Sequence, residues 1–333
     1  MGKFLRKLWA VAACAVVCLV TLVQAESLEK LGKNIGFGIQ YRVMYNNSNL
    51  GSMNQYDFFR QRLRLNVDVQ TEANVGGFIQ IEFRGGWGGS APTSSDPRGA
   101  YAINAFNRLQ ARGIRYGYLY FAPGENSKIM AGILPLNDGV DQMLFSADWD
   151  LNIGGVAWTG GSDKVDYRLA YVRLVEGVAF RNNNDIKDKD EHFLVGDLTG
   201  KFESGEVGAH FYGAYGNVVA GGALFDLSHT WVGAHANLQA GESVGLHGVL
   251  LYNTGKFGPD TVDVDNSSGW LARVEASAKL GKANLGVLGV YSSGDKDGQG
   301  FQTVHSILGT GGYWAYTYIF TPHGPSDVND YGL

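Results

Sequence analysis

The sequence predicts an all-β chain, a transmembrane antiparallel β-barrel, and three observations carry that reading. A two-residue apolar/polar period returns about a dozen times, which is the side-chain period of a strand with different solvents on its two faces. The connections between these segments alternate between very short and long, the rhythm of periplasmic turns and surface loops in a barrel. An export signal precedes them, and no later stretch approaches the roughly 18 to 20 apolar residues that a spanning helix requires.

The elements follow in chain order. Lys3, Arg6 and Lys7 open a basic region, Leu8 to Leu22 an apolar one, and Val23-Gln24-Ala25 fits a small-residue cleavage site, so residues 1–25 read as a signal peptide. Residues 26–34 read as a short periplasmic lead, and residues 35–333 as a single barrel domain, since no linker or composition break divides them. Thirteen strands are expected near residues 35–45, 57–71, 75–87, 111–121, 127–135, 151–159, 164–174, 191–202, 206–216, 228–239, 242–253, 268–280 and 283–292. The clearest is the twelfth. Trp270, Ala272, Val274, Ala276 and Ala278 alternate with Leu271, Arg273, Glu275, Ser277 and Lys279, which places lipid on one side and water on the other.

Short turns rich in Gly, Asn, Asp and Ser are expected at 71–74, 123–126, 160–163, 203–205, 240–242 and 281–282. Longer connections are expected at 46–56, 88–110, 136–150, 175–190, 217–227 and 254–267, and from 293 onward. A last strand fits residues 312–321, where Tyr313, Ala315, Thr317 and Ile319 alternate with Trp314, Tyr316, Tyr318 and Phe320. The tail from Thr321 to Leu333 reads as loop, which leaves two readings open: closure at fourteen strands, or a chain truncated before its final strands. The complete form is expected to hold about 14 to 18 strands.

Composition narrows the function classes. Both cysteines, Cys14 and Cys18, lie within the signal, so disulfides, thiol catalysis and cysteine-bound metal drop out. Without residues 1–25 the chain keeps 24 Lys and Arg against 32 Asp and Glu, a net charge of −8, which argues against nucleic acid as a partner. The seven histidines contain no HExxH spacing, there is no Gly-x-Ser-x-Gly elbow, and neither an enzyme nor a cofactor is expected. Acidic loops containing Asp185, Asp188, Asp190 and Glu191, then Asp260, Asp263 and Asp265, and Asp295 with Asp297, offer hard oxygen ligands to calcium. Lys187, Lys189 and Lys296 interrupt two of these clusters, and surface loops are more usually acidic for solubility.

The second strand carries the sharpest functional signal. Phe59, Leu63, Leu65, Val67 and Val69 define its apolar face, so Arg60, Arg62, Arg64 and Asp68 share the other. Glu82 and Arg84 on the third strand, Arg115 on the fourth, and Arg273 and Glu275 on the twelfth complete the candidate pore-lining set. Arginine's fixed fork holds carboxylate or phosphate in two-pronged fashion, and basic rings favour anions in a pore. Pairing with neighbouring carboxylates to stabilise the wall is the structural alternative, and the two are compatible.

Phe58-Phe59-Arg60-Gln61-Arg62-Leu63-Arg64-Leu65-Asn66-Val67-Asp68, Val75-Gly76-Gly77-Phe78-Ile79-Gln80-Ile81-Glu82-Phe83 and Ala131-Gly132-Ile133-Leu134-Pro135-Leu136 together resemble Gram-negative outer-membrane porins. The resemblance is to the homotrimeric porins of sulfate- and metal-reducing bacteria and to alginate-export-type barrels, and is best over residues 35–175. It implies an outer-membrane channel for passive diffusion of small hydrophilic solutes or ions, narrowed by loops, with Arg60, Arg62 and Arg64 at a lumenal position and lipid around the wall. It also implies a homotrimer, for which Gly196, Gly200, Ala209 and Gly213 would allow close approach between walls. The alternative function is a structural barrel that sleeves or anchors a partner such as a multihaem cytochrome.

Overall fold

The computed structural model describes residues 35–48, 56–71, 74–87, 110–147, 151–175, 190–220, 223–259, 266–293 and 300–307. The expected signal peptide, the lead, the fourteenth strand and most of the acidic-loop residues lie outside them.

Thirteen strands fill most of the described chain. They are β1 (Ile35–Ser48), β2 (Tyr56–Gln70), β3 (Val75–Trp87), β4 (Gln110–Gly124), β5 (Ser127–Leu134), β6 (Ile153–Gly161), β7 (Val165–Val175), β8 (Glu191–Phe202), β9 (Gly205–Ala220), β10 (Ala223–Ala240), β11 (Val244–Pro259), β12 (Ser267–Leu280) and β13 (Ala283–Ser292). They pair in chain order as an antiparallel meander, so the all-β expectation and the thirteen strands expected between residues 35 and 292 are met. A one-turn helix, α1 (Val304–Ile307), follows.

Strand lengths differ most from expectation in β9 to β11. The segment 217–227 was expected as a long connection, yet the ladder runs on through Asn217 opposite Asp226 to Ala220 opposite Ala223. Asn217 donates to the Asp226 carboxylate across that ladder. Polar residues such as Asn217 and Asp226 read as turn signals, but cross-strand pairing supplies them with partners and the strands extend.

The tight turns form where Gly, Asn and Asp were found. Asn74 takes a left-handed φ of 59° in the β2–β3 turn, and Gly281 one of 63° between β12 and β13. A side chain is strained in this region, and Asn and Gly tolerate it best.

The described chain packs as two compact units, the first holding β1 to β4 with Met130–Pro135, the second holding Gly124–Ile129 and the chain from Leu136. In the first, Phe37 (78 % exposed), Ile39, Ile79, Ile114 and Leu119 stand on one face, while Arg64, Gln80, Glu82, Arg115, Tyr116 and Tyr120 are buried on the other. The second repeats this sorting. Leu169, Leu198, Val232, Leu250 and Val274 are exposed, and Phe193, Tyr212, His229, Trp231, Leu251 and Arg273 are buried opposite them.

In the second unit the burial has a cause. The segment between β5 and β6 folds onto the strands, seating Phe145 edge-on against Phe193 (5.0 Å) and Tyr212 (5.1 Å). Residues 300–307 cover it further: Val304 donates to the Leu144 carbonyl (3.1 Å), and the Trp231 indole donates to the Gln302 carbonyl (2.7 Å). Gly269 allows this approach, because a Cβ there would meet Phe301 N at 2.2 Å.

Candidate functional site

Two polar networks stand out, one in each unit. In the first, register brings charge together across strands. Gln40, Arg64 and Glu82 fall opposite one another on β1, β2 and β3, and Arg42, Arg62 and Arg84 do so in the adjacent same-face row. Arg64 Nε donates to Glu82 Oε2 at 2.6 Å, with both side chains almost fully buried. Arg64 Nη1 reaches Gln40 Oε1 at 3.3 Å.

Arg115 joins this group through a break in the strand. The β3–β4 register moves from Gln80 opposite Tyr116 to Ile81 opposite Ile114, which leaves Arg115 as an extra residue, a β-bulge. Strict alternation would send Arg115 to the apolar face. Instead Tyr116 and Arg115 are both buried on the polar side, while Ile114 is 56 % exposed on the other. Arg115 Nη1 donates to Gln80 Oε1 (3.1 Å), its Nε lies 3.8 Å from Glu82 Oε2, and its guanidinium stands 4.7 Å from the Tyr116 ring centroid. A second register shift leaves Arg112 as an extra residue in the same way.

Further along the same face Gln80 Nε2 donates to Asn66 Oδ1 (2.8 Å), and the Tyr120 hydroxyl to Asp68 Oδ1 (3.1 Å). Of the candidate residues in this unit, Arg62, Arg64, Asp68, Glu82 and Arg115 therefore share one face. Arg60 occupies its expected register opposite Met44 and Gly86, but its side chain and that of Arg84 lie outside the described ones. The network is broader than the ladder expected along β2, because it runs across strands rather than up one.

The second network is built around residues 136–147. Asp138 organises this segment: its carboxylate accepts the backbone N–H groups of Val140 (2.9 Å), Gln142 (2.7 Å), Leu144 (2.6 Å) and Phe145 (2.9 Å). Burial pushes its pKa up to about 6, against the pull of those four donors. Asp141 and Gln142 take left-handed φ values of 64° and 60° at the turn.

Three contacts tie the turn to the strands behind it. Gly139 N donates to the Tyr212 hydroxyl (2.8 Å), Asp141 Oδ2 lies 2.7 Å from His247 Nε2, and Arg273 donates to the same carboxylate. Arg273 also donates to Glu275 Oε2 at 2.6 Å, so these two candidate residues meet each other and the folded-in segment.

Beneath the turn runs a chain of shared hydrogen bonds. Asp197 accepts from Tyr212 (2.6 Å) and Arg168 (2.6 Å) and lies 2.7 Å from His210 Nδ1. As Asp197 is the acceptor, His210 Nδ1 carries a proton, and its Nε2 lies 2.7 Å from His235 Nδ1. These histidines are held in a polar network; among the described residues no group of three His, Cys, Asp or Glu side chains is placed to hold a metal ion. Of the acidic residues proposed for calcium, Asp190 pairs with Arg173 at 2.7 Å, Glu191 is buried at the start of β8, and the others lie outside the described residues.

Sequence reasoning missed Arg42, Asp138, Asp141, Asp197 and His247. Alternation in β1 places Arg42 on the face of Gln40, and Asn137-Asp138-Gly139 has the composition of a side-chain-bonded turn. No local signal shows which strands that turn lies against. On the apolar face, Gly196, Gly200, Ala209 and Gly213 alternate as expected, but Gly213 is covered by the Tyr215 ring, whose Cε2 would lie 2.5 Å from an added Cβ.

No family model matches the chain, and no curated protein does. Among solved structures it is similar to an anion-selective porin from Comamonas acidovorans, at 10% identity over 78% of this chain and 80% of that one, with a TM-score of 0.46. OmpT, an outer membrane protein of Vibrio cholerae in its trimer form, matches at 10% identity over 78% and 88%, with a TM-score of 0.37. A triple mutant of the Rhodopseudomonas blastica porin matches at 14% identity over 78% and 99%, with a TM-score of 0.36.

Proposed function

We propose that this chain is a β-barrel porin of the bacterial outer membrane, a water-filled channel for passive diffusion of small hydrophilic solutes with a bias towards anions. One observation carries the reading: large apolar side chains are exposed along one face of the meander and charge is gathered on the other. Phe37 is 78 % exposed, Ile39 74 %, Leu250 57 % and Val274 53 %. A water-facing surface of this kind would be an aggregation site, whereas acyl chains cover it at no cost. The segment 136–147, folded onto the charged face and pinned there by Asp141, suits a constriction that narrows passage.

The anion bias is supported by the first unit. Arg62, Arg64 and Arg115 share its polar face with one buried carboxylate, Glu82, already engaged by two of them. Charges held close to a water-filled path act at short range and are screened less than loop charges. Assembly as a homotrimer through the apolar face belongs to the same proposal.

Single-channel recording of purified protein in planar bilayers tests it. Stepwise conductance with a reversal potential on the anion side under a salt gradient is the expected result. Absence of conductance from heat-modifiable, folded protein would overturn the channel reading.

A further inference from the structure

Like charges directly opposite one another on neighbouring strands destabilise a sheet. Arg42, Arg62 and Arg84 nevertheless occupy one cross-strand row on β1, β2 and β3. Among the described residues, the charged groups acting on Arg62 are Arg64, Arg42 and Arg115, against one carboxylate, Glu82. That carboxylate is held by Arg64 and Arg115, and Arg62 Nε is buried with no hydrogen-bond partner. The sheet therefore gathers four guanidiniums around one acid and leaves a donor of the central one unsatisfied.

We propose that Arg62, with Arg42 beside it, forms a binding site for a small divalent oxyanion. A guanidinium presents paired N–H donors in a planar fork that fits two oxygens of a sulfate, hydrogen phosphate or carboxylate group. A doubly charged ligand relieves more of the repulsion along the row than chloride, and chloride brings one acceptor atom to the two donors of the fork. The neighbouring Arg64–Glu82–Arg115 network fixes the wall beside Arg62, which is only half-buried and so open to a ligand through its exposed part. The binding site stands on this geometry alone; its part in transport deepens the porin reading and rests on it.

Isothermal titration of detergent-solubilised full-length protein with sodium sulfate at low ionic strength tests the site without requiring conductance. Wild type is expected to bind sulfate saturably. Arg62→Gln should weaken binding by roughly tenfold or more, and Arg62→Lys, which keeps the charge but loses the fork, should fall between them. Lys282→Gln, at an exposed turn between β12 and β13, should bind as wild type. Folding of each variant is read from its heat-modifiable mobility. Parallel titrations with phosphate and succinate separate a tetrahedral from a dicarboxylate preference. No saturable sulfate binding, or equal affinity in wild type and Arg62→Gln, overturns the site; an equal loss in Lys282→Gln does so too, by showing general charge screening. Binding without conductance would overturn the channel reading and leave the site standing, while conductance without binding would do the reverse.

Discussion

Asp141 on the folded-in segment lies 2.7 Å from His247 Nε2 on β11, although the two residues are 106 positions apart in the chain. Arg273 of β12 donates to the same carboxylate and is itself paired with Glu275. Asp141 is thus the point at which the segment is fastened to two strands. Asn accepts the left-handed φ of this position, so Asp141→Asn removes the charge with little backbone strain. The partly exposed contact is worth on the order of 1–2 kcal/mol. Limited proteolysis should cut residues 136–147 faster in the variant, and unchanged cleavage would show that the apolar seat of Phe145 holds the segment alone.

Asp138 gives the segment a pH dependence. Its pKa rises from 3.8 to about 6 in the folded protein, so the folded state binds the proton more tightly than the unfolded one. This contribution is fully present below about pH 4 and is lost as pH rises through about 6, by on the order of 2–3 kcal/mol. Thermal unfolding of wild type should show this decline. Asp138→Asn should remove the slope and lower stability throughout, because its amide NH2 must face two of the four backbone donors, which sit in pairs on the two carboxylate oxygens. A variant with wild-type slope would assign the titration to another group.

Burial separates the roles of the arginine network. Glu82 is 2 % exposed and its one charge is shared by Arg64 and Arg115, so Glu82→Gln removes the carboxylate that faces two buried cations. The expected cost is about 3–5 kcal/mol. Denaturant unfolding of folded, detergent-held protein measures it, and a loss below about 1 kcal/mol, the range of an exposed pair, would mean that water reaches the pair.

The face assignment of β12 predicts an asymmetric response. Val274 is 53 % exposed on the apolar side, whereas Glu275 points to Arg273 on the other. Val274→Arg should cost about 2–4 kcal/mol if that side meets lipid, while charge changes at Glu275 should leave folding nearly intact. With single cysteines, a water-soluble thiol reagent should label position 275 and spare 274. Equal labelling would remove the assignment.

Period-two alternation was enough to read all thirteen strands, because each strand separates two environments and its residues record that directly. The same rule placed Arg62, Arg64, Asp68 and Glu82 on one face. It failed at Arg115, where a bulge reverses the facing of the residues next before it, so that Ile114 and Tyr116, two residues apart, stand on opposite sides. It also could not reach Asp141, His247 and Asp197. Their contacts depend on where a non-periodic segment lies down, and that is set by distant side chains such as Phe193 and Tyr212.

Selectivity is the test of whether the unsatisfied arginine matters to passage. Glu82 pairs with Arg64 and Arg115, so replacing Arg42 and Arg62 with glutamine should leave the Arg64–Glu82–Arg115 network standing. Local positive charge then falls while the fold is kept. Exposed charges beyond roughly 8 to 10 Å are screened at physiological salt, so the acidic loops cannot compensate by distance alone. The reversal potential under a salt gradient should therefore move towards cation preference in the double variant, and the shift should shrink as salt rises. Should both proteins give the same reversal potential at low salt, the arginine row stabilises the wall and does not select what passes it.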